Sequence, residues 1–169
     1  DGRVNFMMDN LLAENRAVPM VIAIPNNQVI HRNHPRHVEF TFKLFEAELR
    51  QHVIPLVERE YSVRRDPKGR ALSGLSMGGR HTAFVGFNSL DLFANFGVLS
   101  AGDVDSEKVF AKFLTDPNVH QMVDYLFVGQ GTGEAEGRMG ARCVALHEAL
   151  SNHKIIHEYY VGGHGGHDW

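Results

Sequence analysis

The chain has 169 residues, 43% hydrophobic and 22% charged, with a net charge of −3 and a single cysteine, Cys143. This length and apolar fraction suit one domain with a buried core and exclude a disordered chain or two ordinary domains. The weak negative charge argues against a nucleic-acid partner, and one cysteine excludes an internal disulfide or a Cys-rich zinc site. No apolar run reaches the roughly 20 residues of a membrane span.

Val18 to Pro25 is a near-continuous apolar run, which predicts a strand buried on both faces. Gln28 to His37 is polar, carries His31, His34, His37 and Pro35, and reads as a loop. From Val38 to about Glu60, Phe42, Phe45, Leu49, Val53, Leu56 and Val57 recur at helical steps. They predict an amphipathic helix that Pro55 should kink or break near its end. Asp66-Pro67-Lys68-Gly69 marks a turn, followed by a strand at Ala71 to Leu75 and a helix at Ser76 to Asn88.

Phe93 to Ser100 and Val123 to Val128 predict two further strands, separated by a weaker helix at about Ser106 to Leu114. Arg138 to Asn152 predicts a helix with Ala141, Val144, Ala145, Ala149 and Leu150 along one side. Ile155 to Val161 is the last predicted strand, and a glycine-rich tail follows. Strand and helix alternate throughout with short connections. The prediction is therefore a single α/β domain over residues 1–169, a mostly parallel sheet with helices on both faces. In such sheets, sites lie beyond the carboxyl ends of the strands.

The sharpest local signal is Gly74-Leu75-Ser76-Met77-Gly78-Gly79, which fits G-x-S-x-G between a predicted strand and helix. An abrupt strand-to-helix corner strains the backbone of its central residue, and small neighbours at −2 and +2 avoid a clash. The corner hydroxyl of Ser76 is then exposed at the positive end of a helix dipole. The Met77 amide can face an oxyanion formed when Ser76 attacks a carbonyl. A serine nucleophile also needs a base and a group to orient that base.

His164 and His167, in the loop after the last strand, are the candidate bases. Glu134 and Glu136, after the strand ending near Val128, are the candidate acids, with Asp103 and Asp105 in reserve.

These segments resemble the esterase D-type α/β-hydrolases: Gly-Leu-Ser-Met-Gly-Gly at 74–79, Gly-Gln-Gly-Thr-Gly-Glu at 129–134 and Gly-Gly-His-Asp-Trp at 165–169. The likeness is nearest to the carbohydrate esterases that include feruloyl and acetyl-xylan esterases. It extends through Asp9 to Glu14, Pro19 to Pro25 and His52 to Glu58. The resemblance implies the α/β-hydrolase fold, with Ser76 as nucleophile, His167 as base, His164 as second choice, and Glu134 as acid. It implies hydrolysis of carboxylic esters without a cofactor, on small esters or esterified polysaccharide, and it favours secretion. Two departures stand out. The family usually has Asp where Glu134 stands. Its first strands, with the loop that supplies a second oxyanion amide, are expected before residue 1, and a closing helix after Trp169.

An acyltransferase or an S-formylglutathione- or siderophore-type esterase would share this architecture, and a carbohydrate-binding remnant would keep only the cleft. The histidines at 31, 34 and 37, or at 164 and 167 with Asp168, are the alternative metal-binding readings, but Pro35 and the elbow weigh against them. His81 is expected to be a partly exposed helix residue, Cys143 a small buried hydrophobe, and Phe40, Phe42, Phe45, Phe84, Phe87, Phe93 and Phe96 packing residues. Trp169 is expected either to line a pocket or to cover the core. Arg64, Arg65, Lys68 and Arg70 read as a solvated turn.

Overall fold

The structure, a computed structural model, describes residues 3–167. The expectations for Asp168 and Trp169 lie outside the described residues. Four parallel strands, β1 (Ala71–Leu75), β2 (Asn95–Leu99), β3 (Tyr125–Gly131) and β4 (Glu158–Gly162), form one sheet in sequence order. Each crossover between neighbouring parallel strands carries helix, which is how a chain returns to the same end of a parallel sheet.

The helices are α1 (Val4–Ala13), α2 (His37–Glu48), α3 (Ile54–Glu60), α4 (Met77–His81), α5 (Ser106–Val109), α6 (Ala111–Leu114), α7 (Val119–Met122) and α8 (Arg138–Asn152). The amphipathic stretch at 38–60 does not break at Pro55. A π-turn at Leu49–Val53 joins α2 to α3, with the Ile54 amide donating to the Leu49 carbonyl. Pro55 then sits in the first turn of α3, directly after the π-turn that interrupts the α-type ladder, where a proline has no N–H to donate. α4 likewise continues into a π-turn at Thr82–Gly86.

The strand predicted at Val18 to Pro25 does not form. Residues 17–29 have no ladder partner, and Val18, Met20 and Ile24 are 71%, 55% and 75% exposed. β1 pairs with β2 alone among the described residues, so it is an edge of the sheet. A strand is completed by a neighbour's backbone, and an apolar run reads the same whether or not that neighbour is present.

The core lies between the sheet and its helices. Phe96 and Val98 of β2, and Leu126 and Val128 of β3, are buried in alternation with less buried residues. Phe87 stacks on Phe113 at 4.1 Å and meets Phe96 and Phe110 edge-on, tying the segment after α4 to α5 and α6. Truncating such a ring typically costs about 3–5 kcal/mol. On α8 the buried residues are Gly140, Cys143, Leu146, Ala149 and Leu150, while Ala141 is exposed. The buried stripe is thus rotated from the predicted one, because the larger Leu146 and Cys143 outweigh the scattered alanines.

The register matters most for function. Leu75 lies beside Leu99, and Leu99 beside Gly129. The next residues along, Ser76 and Ser100, therefore leave the sheet at one level on its carboxyl edge, while β3 runs two residues further beside β4.

Candidate active site

Ser76 occupies the corner between β1 and α4 with φ 58° and ψ −113°, a left-handed conformation that costs a non-glycine residue energy. Its amide is held by the Leu99 carbonyl at 2.9 Å, and its carbonyl accepts from the Arg80 amide. A Cβ on Gly74 would lie 2.5 Å from the Gly78 carbonyl carbon, and one on Gly79 2.6 Å from the Leu99 oxygen. A Cβ on Gly78 would meet nothing within 4 Å. The crowding expected at −2 and +2 therefore falls at −2 and +3, because α4 packs down on β2 through Gly79. The Met77 amide is the first of α4, where backbone N–H groups lack intrahelical acceptors.

Beneath this corner is a residue that sequence reading placed differently. His81 is 2% exposed, buried between the edges of Phe42 and Phe45. Its Nδ1–H donates to the Met77 carbonyl at 2.7 Å, and its Nε2 faces the Thr41 hydroxyl at 3.5 Å. Burial lowers its pKa, so the ring is kept neutral. A helix contributed from far away, α2, turned this position inward, and local periodicity does not carry that information.

The loop after β4 crosses the loop after β3. The Thr132 hydroxyl donates to the Gly163 carbonyl, and the Gly133 amide donates to the Gly165 carbonyl at 3.2 Å. This pairing brings His167 over the strand ends. The Ser76 hydroxyl donates to His167 Nε2 at 2.6 Å, and His167 Nδ1–H donates to Glu134 Oε1. The other carboxylate oxygen, Oε2, accepts from the Ser100 hydroxyl at 2.5 Å and the Gly131 amide at 3.0 Å. The Glu134 side chain is 4% exposed. Burial pushes its pKa up, but the donations from Ser100, His167 and Gly131 outweigh it and hold the carboxyl below its ordinary value.

Three side chains singled out in the sequence, Ser76, His167 and Glu134, thus share one hydrogen-bonded chain. His164 and Glu136 stay exposed on their loops. Asp103 lies 3.8 Å from the Arg80 guanidinium and its Oδ1 accepts from the Asp105 amide, while the carboxylate bonded to His167 is that of Glu134. In the loop before α2, His31 and His34 each turn Nδ1 to a backbone amide two residues on. Among the described residues no three His, Cys, Asp or Glu side chains gather as a metal set, and no helix is long and apolar enough to cross a membrane. Ser100 was not singled out by the sequence, although it directly follows the strand beside the elbow strand.

The parallel sheet, the strained serine corner and the histidine and carboxylate from later strand ends define an α/β-hydrolase-type architecture. A family model described as "Putative esterase" matches residues 1–169, and the chain belongs to this esterase family. An endo-1,4-beta-xylanase/feruloyl esterase of Xylanibacter ruminicola is 29% identical over 133 residues, which is 79% of this chain and 17% of that protein. Among solved structures, a ferulic acid esterase superposes with a TM-score of 0.72 at 25% identity, covering 99% of this chain and 71% of that one. A CE1 ferulic acid esterase from Anaeromyces mucronatus, solved in complex with ferulic acid, gives 0.74 at 24% identity, covering 95% and 63%. The chain therefore spans under a fifth of that curated relative and about two thirds of these structures.

Proposed function

We propose that residues 1–169 form a catalytic domain of a serine carboxylic-ester hydrolase acting on feruloyl or acetyl esters of plant cell-wall polysaccharide. The observation that carries the reading is the unbroken chain from the Ser76 hydroxyl through His167 to the buried Glu134 carboxylate. Membership of the esterase family supports the reaction class, and the feruloyl-esterase relatives support the substrate class.

His167 Nε2 takes the Ser76 proton as the serine oxygen attacks the ester carbonyl. Glu134 keeps the imidazole in the tautomer with its proton on Nδ1 and stabilises the imidazolium that forms. The Met77 amide donates to the tetrahedral oxyanion. Loss of one such donor from a complete site typically costs about a hundred- to thousandfold in rate. The alcohol leaves with the proton from His167, giving an acyl-Ser76 ester. Water then attacks with His167 as base, and the acid is released as Ser76 recovers its proton. Every step uses this chain's own groups and water.

The test is hydrolysis of methyl ferulate, feruloylated arabinoxylan oligosaccharides and acetylated xylan by the chain and by Ser76→Ala. Release of ferulate or acetate that disappears in Ser76→Ala is expected. Ligand binding without turnover, unchanged in Ser76→Ala, would replace the reading with a carbohydrate-binding remnant. Faster turnover of S-formylglutathione would move the substrate class.

A further inference from the structure

We propose that Ser100 is a positioning residue of this site, acting through Glu134. The inference rests on the Ser76–His167–Glu134 reading and deepens it. Ser100 is 4% exposed and sits at φ 48°, in the left-handed region that a side chain enters at a cost. Its backbone is fixed there by its amide, which donates to the Gly129 carbonyl at 2.7 Å. That geometry aims its hydroxyl at Glu134 Oε2, 2.5 Å away.

A glutamate needs such an anchor. Its terminal torsion is broad, and a carboxylate on a three-torsion stem can rotate away from the imidazole. Oε1 is engaged by His167, so orientation depends on what holds Oε2. Gly131 supplies a backbone donor from the end of β3, three residues before Glu134. Ser100 supplies one from the residue directly after β2, the strand whose Leu99 carbonyl also fixes the Ser76 amide. The hydroxyl therefore references the acid to the same strand that references the nucleophile. With Glu134 buried, water is poorly placed to replace a lost donor.

The experiment compares Ser100→Ala, Ser100→Gly and Ser100→Cys with wild type and with Glu134→Ala, on one aryl ester, with melting temperatures for each. Hydrogen bonds to charged groups set the expected loss at about ten- to a hundredfold in kcat for Ser100→Ala and Ser100→Gly, with KM within about twofold. Ser100→Cys, a weaker donor of similar shape, should fall between. Ser100→Gly relieves the backbone strain and should melt no lower than Ser100→Ala while remaining equally slow, a pairing that a purely structural role does not produce. Adding Ser100→Ala to Glu134→Ala should cost no further rate, because the partner is already gone.

If Glu134→Ala is slow while Ser100→Ala and Ser100→Gly match wild type, the Ser100 assignment is overturned and the triad stands. The assignment also fails if the Ser100 loss persists in the Glu134→Ala background or tracks melting temperature. If Glu134→Ala itself keeps the wild-type rate, the triad reading fails first.

Discussion

Glu134→Gln removes one charge from the site and almost no volume. In the native site Oε1 accepts from His167 Nδ1–H, while Oε2 accepts from Ser100 and the Gly131 amide. A carboxamide has one acceptor oxygen and one NH2. If its oxygen serves Gly131 and Ser100, its NH2 faces His167 and forces the imidazole proton onto Nε2, where it cannot accept from Ser76. If the amide flips, its NH2 opposes the fixed Gly131 N–H. Either arrangement also removes the carboxylate that stabilises the imidazolium. Two unit charges about 4 Å apart, at an effective dielectric near 20, attract by about 4 kcal/mol. At about 1.4 kcal/mol per tenfold, that corresponds to roughly a thousandfold in kcat. The assay is steady-state hydrolysis of an aryl ester at neutral pH, with folding checked by circular dichroism. A loss smaller than about tenfold in a folded variant would refute the role given to Glu134.

The elbow glycines should behave oppositely. Gly79→Ala drives a Cβ to 2.6 Å from the Leu99 carbonyl and the Ala101 Cβ and should cost about 1–3 kcal/mol, while Gly78→Ala enters open space and should be neutral or stabilising by up to about 1 kcal/mol, both read from denaturant midpoints. Glu134 is depressed in the fold, so it contributes stability above its ordinary value of 4.5 that is lost as pH falls through the lower folded value. Denaturation of Glu134→Gln should therefore show a flatter pH dependence below about that point. His81 is kept neutral by burial, so the unfolded chain binds its proton first and stability should fall as pH drops below 6.5, less steeply in His81→Gln. Cys143 is fully buried, with burial pushing its thiol up to about 11, so thiol reagents should label it only after unfolding.

What was legible in the sequence was what depends on local pattern. Gly74 to Gly79 announces a strand-to-helix corner by residue type alone, and α8 has the predicted bounds because its ends are set by nearby residues. The alternation of strand and helix gave the parallel sheet. Long-range contributions were not legible. Val18 to Pro25 has a strand's composition, but a ladder needs a partner that its own residues do not encode. His81 is turned inward by Thr41, Phe42 and Phe45 of a helix about forty positions earlier. Ser100 looks like an ordinary strand-end serine until the register sets it level with Ser76 and opposite Glu134. The choice of His167 over His164 depends on how the two glycine-rich loops cross, which spacing alone does not fix.

The most direct test of the account is intact-mass analysis after incubation with a fluorophosphonate, with Ser76→Ala and His167→Ala alongside. A serine whose proton is accepted by His167 should give a single covalent adduct on the folded protein. It should vanish in Ser76→Ala and form far more slowly in His167→Ala. A folded wild-type chain without an adduct, or one whose adduct persists in Ser76→Ala, would contradict the claim that Ser76 is the activated nucleophile.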